Sequence, residues 1–393
     1  MDFSFHSKPV RVLFGRGESG SLPQQLASFN RILVIAGPRF QGQVGDLQSQ
    51  MGADRVIPFS KIVPHVPQEL VDVAGEVVRQ VRPDAILAMG GGSAIGLAKA
   101  LALGAAPGLK ECYFEEGMDA PAIIAVPTTF SGSEQTDIWG ITTADGKSTG
   151  QSPLVLPELV IYDPDLLLSL PAERAVTSAM NAMAHLVEAV YAPDGNPVTR
   201  YQALQGIPAI VDGLERLAGN AAEDRDADNA RTAGKSKKGS SSGIGGTDTT
   251  LTPEIAETLL FGAFLGGKCL REVSMSLHHK TAHVLGGSFG CDHAVAHTVL
   301  LPHVLQYQWP HLSPDIRRDL ENVLGAHPPK TLQTLAVQAG GPSDLKDTGL
   351  KPADLVKTAE HILAQPYPNP SPLDQDRLLR MLEHAWRGIL QEE

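Results

Sequence analysis

The chain has 393 residues, 44 acidic against 32 basic, and a formal charge of −12 with histidine neutral. Such a length favours two domains, and the acidic balance argues against nucleic acid as a partner, because polyanion affinity depends on basic surface. No apolar run approaches the roughly 18 residues needed to span a membrane. The N-terminus lacks the apolar stretch of a signal peptide, and three scattered cysteines, Cys112, Cys269 and Cys291, make no disulfide framework. A cytoplasmic protein is expected, with room for a local cationic pocket that takes a small anion.

Short apolar runs at 10–14, 31–35, 85–88, 123–126 and 159–162, bounded by Gly, Pro or Asp, read as buried strands. Alternating with helical stretches, they predict an α/β layer with a largely parallel sheet. The second run leads into Ala36-Gly37-Pro38-Arg39, where an acidic residue would commonly hold the adenosine ribose of a dinucleotide. None is present. Arg39 there would tolerate a 2′-phosphate, so weak discrimination between NADH and NADPH is expected, the alternative being a surface arginine in a turn. The third run ends at Met89 and leads into Gly90-Gly91-Gly92-Ser93 and a helix containing Lys99. Glycines at that junction let backbone approach phosphate oxygens, and the helix N-terminus adds free N–H groups and a favourable dipole. The spacing is not the six-residue dinucleotide fingerprint. After the fourth run come Pro127, Thr128, Thr129, Phe130, Ser131, Gly132, Ser133 and Glu134. Thr128, Thr129 and Ser131 are candidates for holding a diphosphate or a nicotinamide carboxamide, while Ser133 and Glu134 equally suit an ordinary helix start. Asp137, Trp139 and Gly140 either shape a pocket or belong to a plain loop.

Beyond 165 the β-rich runs stop, and helices are expected at 178–191, 200–217, 253–285, 315–325, 330–340, 352–364 and 374–391. Residues 1–165 therefore read as a dinucleotide-binding domain and 166–393 as an all-helical catalytic domain. The 220–250 segment has almost no large apolar side chains to offset its ordering entropy and reads as a disordered insertion. Asn181 and His185 share one helical face. Five of the 13 histidines then crowd into twenty residues: His278, His279, His283, His293 and His297. Imidazole titrates near neutrality and its neutral form ligates metals, so the cluster points to proton transfer, metal binding or both. His279 and His283 stack on one helical face, which Gly286 and Gly287 are expected to end. His278 and His297 read either as site residues or as helix packing.

Taken in order, the Gly90-Gly91-Gly92-Ser93 loop, the 127–134 segment, the Asn181 and His185 pair and the His279, His283 and His293 run resemble the iron-containing alcohol dehydrogenase family. Ile95-Gly96-Leu97-Ala98-Lys99, Val176-Thr177-Ser178-Ala179-Met180-Asn181, Leu277-His278-His279-Lys280 and Pro366-Tyr367-Pro368-Asn369-Pro370 look like its maleylacetate reductase branch. That resemblance implies an active site in the cleft between the two domains, a homodimer or larger homo-oligomer, and a small anionic keto acid as substrate. It implies NADH- or NADPH-dependent reduction of maleylacetate to 3-oxoadipate, a step in aromatic-compound breakdown. Metal-binding relatives use an aspartate and three histidines, which fall here on Asn181, His185, His279 and His293. Asparagine at 181 removes the one carboxylate that would offset a divalent charge, so no tightly held metal is expected. Reduction of a conjugated C=C leaves charge on the ketone oxygen, which hydrogen-bond donors can stabilise. His185, His279, His293 and Asn181 are the candidate donors, His283 the candidate acid, and Lys280 a candidate carboxylate partner. Two alternatives stand beside this: a metal-dependent alcohol dehydrogenase in which Asn181 still ligates, and a non-redox lyase or isomerase of a biosynthetic pathway on the same fold.

Overall fold

The structure, a computed structural model, describes residues 3, 5, 7, 10–104, 119–144, 146–233 and 251–390, with backbone alone for 221–233. Six strands form one parallel sheet: β1 (Arg11–Phe14), β2 (Ile32–Ala36), β3 (Val56–Phe59), β4 (Ala85–Gly90), β5 (Ala122–Pro127) and β8 (Leu159–Tyr162). The antiparallel pair β6 (Ile138–Thr143) and β7 (Gly146–Gln151) makes a separate hairpin. Every residue of β2, β4 and β5 is buried, as unbroken apolar strands covered on both faces must be. In space the order is β1-β8-β5-β4-β2-β3. From β2 the chain steps outward to β3, then returns to lay β4 on the other side of β2. The order therefore reverses between β2 and β4, and ligands of open α/β sheets bind at the carboxyl ends of strands at such a point. Gly37 and Gly90 stand at those two ends.

Four helices accompany the sheet: α1 (Leu22–Gln25), α2 (Gln41–Met51), α3 (Gln68–Val81) and α4 (Gly92–Leu103). Strand β3 was not expected, because Pro58 inside Val56-Ile57-Pro58-Phe59 suits only an edge, and β3 is the edge. The hairpin was not expected either, since Lys147, Ser148 and Thr149 carry no apolar alternation.

The described residues beyond β8 are largely helical: α5 (Ala172–Tyr191), α6 (Pro197–Ala233), α7 (Pro253–Glu272), α8 (Leu277–Phe289), α9 (His293–Gln308), α10 (Pro314–Leu324), α11 (Pro328–Gln338), α12 (Pro352–Leu363) and α13 (Gln375–Arg387). Ser313 and Thr252 accept from Ile316 N and Ile255 N to cap α10 and α7, each with proline at the first helical position. Helix α5 is almost wholly buried, and its alanines at 179, 182, 184 and 189 let α6, α7 and α9 close around it. Three expectations change. The helix read at 253–285 divides at 273–276 into α7 and α8. Helix α6 runs on to Ala233, through the first part of the segment read as an insertion, and residues 234–250 lie outside the described residues. Helix α8 passes through Gly286 and Gly287 and stops at Gly290, whose φ of 69° is the left-handed cap conformation. One buried apolar cluster runs from the sheet into α5, α6 and α7, and a second joins α8, α9, α12 and α13. Among the described residues no helix is long and apolar enough to cross a membrane.

Candidate active site

One side of the candidate site, the one expected to hold the cofactor, is built at the carboxyl ends of β2, β4 and β5. Helix α4 starts at Gly92 with Gly91 as its N-cap and no side chain bonded to its first amides. Thr128 N donates to Gly90 O at 3.0 Å, Gly91 packs on the Thr129 side chain, and Gly92 faces Ser131 Oγ. The buried Oγ atoms of Ser131 and Ser133 have no partner among the described residues. Uncapped amides beside unpaired hydroxyls suit an anion such as a diphosphate. Ser93 lies in the first turn of α4, and Gly37 caps the short turn Pro38–Phe40. Arg39 in that turn is exposed but tied down. Its guanidinium reaches across β4 to donate to Thr128 Oγ1 at 2.6 Å.

The loop after β5 is held from below by Lys99. Its Nζ donates to Ser133 O (2.7 Å), Thr136 O (2.6 Å), Thr136 Oγ1 (2.9 Å) and Ile138 O (3.0 Å). Burial lowers this amine to about 7, while the charges of Glu134 and Asp137 act in the opposite direction. Where the sequence equally suited an ordinary helix start, Glu134 opens no more than a single turn. It lies in the short turn Ser133–Gln135, fully buried, and accepts from Tyr162 Oη at 2.8 Å.

Across the cleft, helices α5, α8 and α9 bring the imidazoles together. His185 stacks on His279 with centroids 4.8 Å apart, and His283 stacks on His293 at 5.5 Å. His278 Nε2 meets His297 Nδ1 at 2.8 Å, and His297 Nε2 meets His293 Nε2 at 3.0 Å. His278 and His297, both fully buried, are thus members of the cluster. Burial, the largest cause in each case, lowers His185, His278, His279, His283, His293 and His297 and favours neutral rings. His283, though closely surrounded by protein, is the most solvent-accessible of these rings and stands at the mouth. Lys280 is half-buried, with Nζ 5.9 Å from the Tyr367 ring centroid, and the buried Tyr367 Oη has no partner among the described residues.

Sequence reasoning passed over Glu188, which organises this wall. Its Oε1 accepts from Ser276 N (3.2 Å) and His278 N (3.0 Å), and its Oε2 accepts from His279 N (3.4 Å) and lies 2.5 Å from His279 Nδ1. A carboxylate from α5 therefore caps α8 and explains why the chain breaks at 273–276. Asn369 Oδ1 adds a bond from Leu277 N at 3.2 Å. The signal was present: Glu188 lies three residues after His185, on the same helical face. With Nδ1–H given to the carboxylate, His279 presents Nε2 as an acceptor. That Nε2, His185 Nδ1 and Asn181 Oδ1 are buried and have no partner among the described residues. Leaving such atoms unpaired costs about 1–3 kcal/mol each, so the arrangement suits a polar ligand.

The two walls meet at Gly132 (φ 77°). A Cβ there would stand 2.9 Å from Gly267 Cα and 3.5 Å from His185 Nδ1, so only a glycine pair lets the cofactor loop close on α7 beside the imidazoles. The positions that hold a metal in related dehydrogenases do not fit one in this arrangement. Position 181 is an amide, His293 Nε2 turns to His297, and His185, His279 and His293 do not converge. Among the described residues the group of imidazoles whose ligand atoms all lie within 4.8 Å is His278, His279 and His297, and two of its nitrogens bond one another.

The family model for iron-containing alcohol dehydrogenase matches residues 9–164, and that for the Fe-containing alcohol dehydrogenase family, C-terminal, matches 246–386. Maleylacetate reductase of Sphingobium indicum is 36% identical over 390 residues, with 99% of each chain covered. Maleylacetate reductase 1 of Cupriavidus pinatubonensis is 37% identical over 382 residues, covering 96% of this chain and 95% of the relative. The crystal structure of maleylacetate reductase from Agrobacterium tumefaciens is similar with a TM-score of 0.82, 33% identity and 99% of both chains covered. With its glycine loop, its histidine wall and Asn181 all in place, the chain belongs to the iron-containing alcohol dehydrogenase family, in its maleylacetate reductase branch.

Proposed function

We propose that the chain reduces maleylacetate to 3-oxoadipate with NADH or NADPH, without a metal ion. The observation that supports this reading is the close approach of the Gly132 loop to His185; a cofactor bound at Gly90, Gly91, Gly92, Ser93, Thr128, Thr129 and Ser131 would lie beside the imidazole wall. A reduced nicotinamide bound there supplies hydride to the conjugated double bond. His185 presents an N–H to the ketone oxygen as charge develops on it, with Asn181, His279 and His293 completing the polar surround. His283, at the accessible mouth, delivers the proton to carbon; a dicarboxylate entering beside it brings the opposite charge that favours its protonated form. Lys280 holds a carboxylate. Arg39, tied to Thr128, offers no acidic group against a 2′-phosphate, so both cofactors are accepted. A homodimer in the cytoplasm, with residues 1–165 binding cofactor and 166–393 supplying the catalytic wall, belongs to the same reading.

The rival is a metal-dependent alcohol dehydrogenase, favoured by the three unpaired atoms on Asn181, His185 and His279. It lacks a carboxylate ligand, and neutral donors alone offset little of a divalent charge. Metal-analysed protein should oxidise NADH with maleylacetate at the same rate with and without chelator. Loss of activity on chelation, restored by iron or zinc, would establish the rival; no hydride transfer at all would move weight to a lyase or isomerase.

A further inference from the structure

Helix α7 touches both sides of the candidate site: it packs against α5 of the imidazole wall and against the turn Ser133–Gln135 of the loop after β5. Two consecutive glycines make these contacts close. A Cβ on Gly266 would stand 2.9 Å from Ala182 O, the carbonyl next to Asn181 on α5. A Cβ on Gly267 would stand 2.5 Å from Gly132 O, 2.9 Å from Gly132 Cα and 3.0 Å from Gln135 Cβ. Carbon atoms pack best at about 3.5–4.0 Å, so one methyl at 267 would force a retreat of roughly 1 Å. The atoms it meets are backbone or bonded directly to backbone, and no side-chain rotation relieves the clash.

The loop cannot bend away alone. Lys99 ties Ser133 O, Thr136 O and Ile138 O to α4, the helix that follows the glycine loop, and Gln135 Nε2 donates to Tyr162 Oη of β8 at 3.0 Å. Helix α7 is seated as firmly on α5 through Gly266. Packed interiors transmit strain, so a wedge at 267 parts two rigid bodies instead of denting one. Polar atoms in want of a ligand stand on both sides of that contact. Ser131 Oγ and Ser133 Oγ flank Gly132 and have no partner among the described residues. Nor has His185 Nδ1, on a side chain of a residue only 3% exposed, 3.5 Å from where a Cβ on Gly132 would stand.

We propose that Gly267 is a positioning residue for hydride transfer: its missing side chain sets how closely the nicotinamide approaches the imidazole wall and the substrate held there. This rests on the proposed reduction of maleylacetate, in which the nicotinamide C4–H bond breaks, a C–H bond forms on the alkene carbon and a proton from the wall completes the reduction. Such a transfer needs reacting atoms about 3–3.5 Å apart, and a displacement of about 1 Å can cost 10²-fold in rate. Gly267 acts through the loop and α5, not by contact with the substrate.

The experiment compares wild type with Gly267→Ala and with Gly262→Ala, which wedges the same helix against the Ile210 side chain and away from the loop. For Gly267→Ala the expected result is a kcat with maleylacetate lowered by about 10–100-fold, a Kd for NADH alone within about twofold of wild type, and a larger isotope effect with C4-deuterated NADH. Gly262→Ala keeps the wild-type isotope effect. A smaller fall in kcat, a fall with the isotope effect unchanged, a Kd for NADH weakened in proportion, or the same isotope effect in both variants overturns the assignment. If Gly267→Ala does not fold, Gln135→Gly opens the same seat from the loop side and is judged by the same readouts. If wild type fails to turn over maleylacetate, the proposed reaction falls, and Gly267 is judged by crystal structures of the NADH complexes. A separation of nicotinamide C4 from His185 Nδ1 longer by roughly 1 Å in the variant supports the assignment, and an unchanged separation overturns it.

Discussion

Two buried polar clusters flank the cleft, and they spend their hydrogen bonds differently. Under the cofactor loop, Lys99 directs its ammonium at four protein oxygens, and Tyr162 joins Glu134 to Gln135. In the imidazole wall, Glu188 is saturated, yet Asn181 Oδ1, His185 Nδ1 and His279 Nε2 have no partner among the described residues. Both clusters bear the cost of taking polar groups out of water. One recovers most of it within the protein, with Glu134 Oε2 the atom of that trio left without a partner among the described residues, and acts as scaffold. The other holds atoms in reserve, which is what distinguishes a site from a polar core.

That contrast can be broken most sharply at His283. His283→Ala should lower kcat by about 10²–10⁴-fold, the usual worth of a positioned proton donor, with little change in KM for NADH. Unaltered turnover would remove it from the reaction. Lys99→Met attacks the scaffold instead. Three carbonyls would lose a buried charged donor, so unfolding should become easier by about 3–5 kcal/mol, with cofactor affinity falling alongside. A stable variant with normal NADH binding would show that the loop holds itself.

The smallest effect concerns pH. Burial sets His279 at about 3 in the folded chain, below the ordinary value of 6.5. Between those values the unfolded chain binds more protons, so this contribution to stability is present above pH 6.5 and is lost as pH falls toward 3. Glu188, raised by burial to about 7 from 4.5, works the other way and weakens the folded state as pH rises through that interval. With several imidazoles lowered in the same sense, the histidines prevail on the acid side. Melting temperature should drop by roughly 5 °C or more between pH 7 and pH 5. A flat profile would mean that the wall titrates like exposed histidine.

Much of the architecture was legible from the chain alone. Five of the six sheet strands announced themselves as apolar runs of buried, two-sided strands, and the turn from strand to helix at Gly90, Gly91 and Gly92 was readable from glycine chemistry. Edge strand β3 was hidden by Pro58, and the hairpin by its polar residues. The break between α7 and α8 was invisible for another reason: the cap that makes it, Glu188, lies 88 residues before Ser276 in sequence. Local propensity carries no trace of a partner so distant.

The sequence by itself determined the fold class, the order of the motifs, the density of imidazoles and the loss of a carboxylate at 181, because these depend on periodicity and on residue identity. Only the tertiary structure decided which nitrogens pair and which are left without a partner among the described residues, that His278 and His297 join the cluster, and that the β6–β7 hairpin packs on α8. Those outcomes depend on how α5, α8, α9 and the sheet loops approach in space, where each hydrogen bond removes one atom from the set available to a ligand.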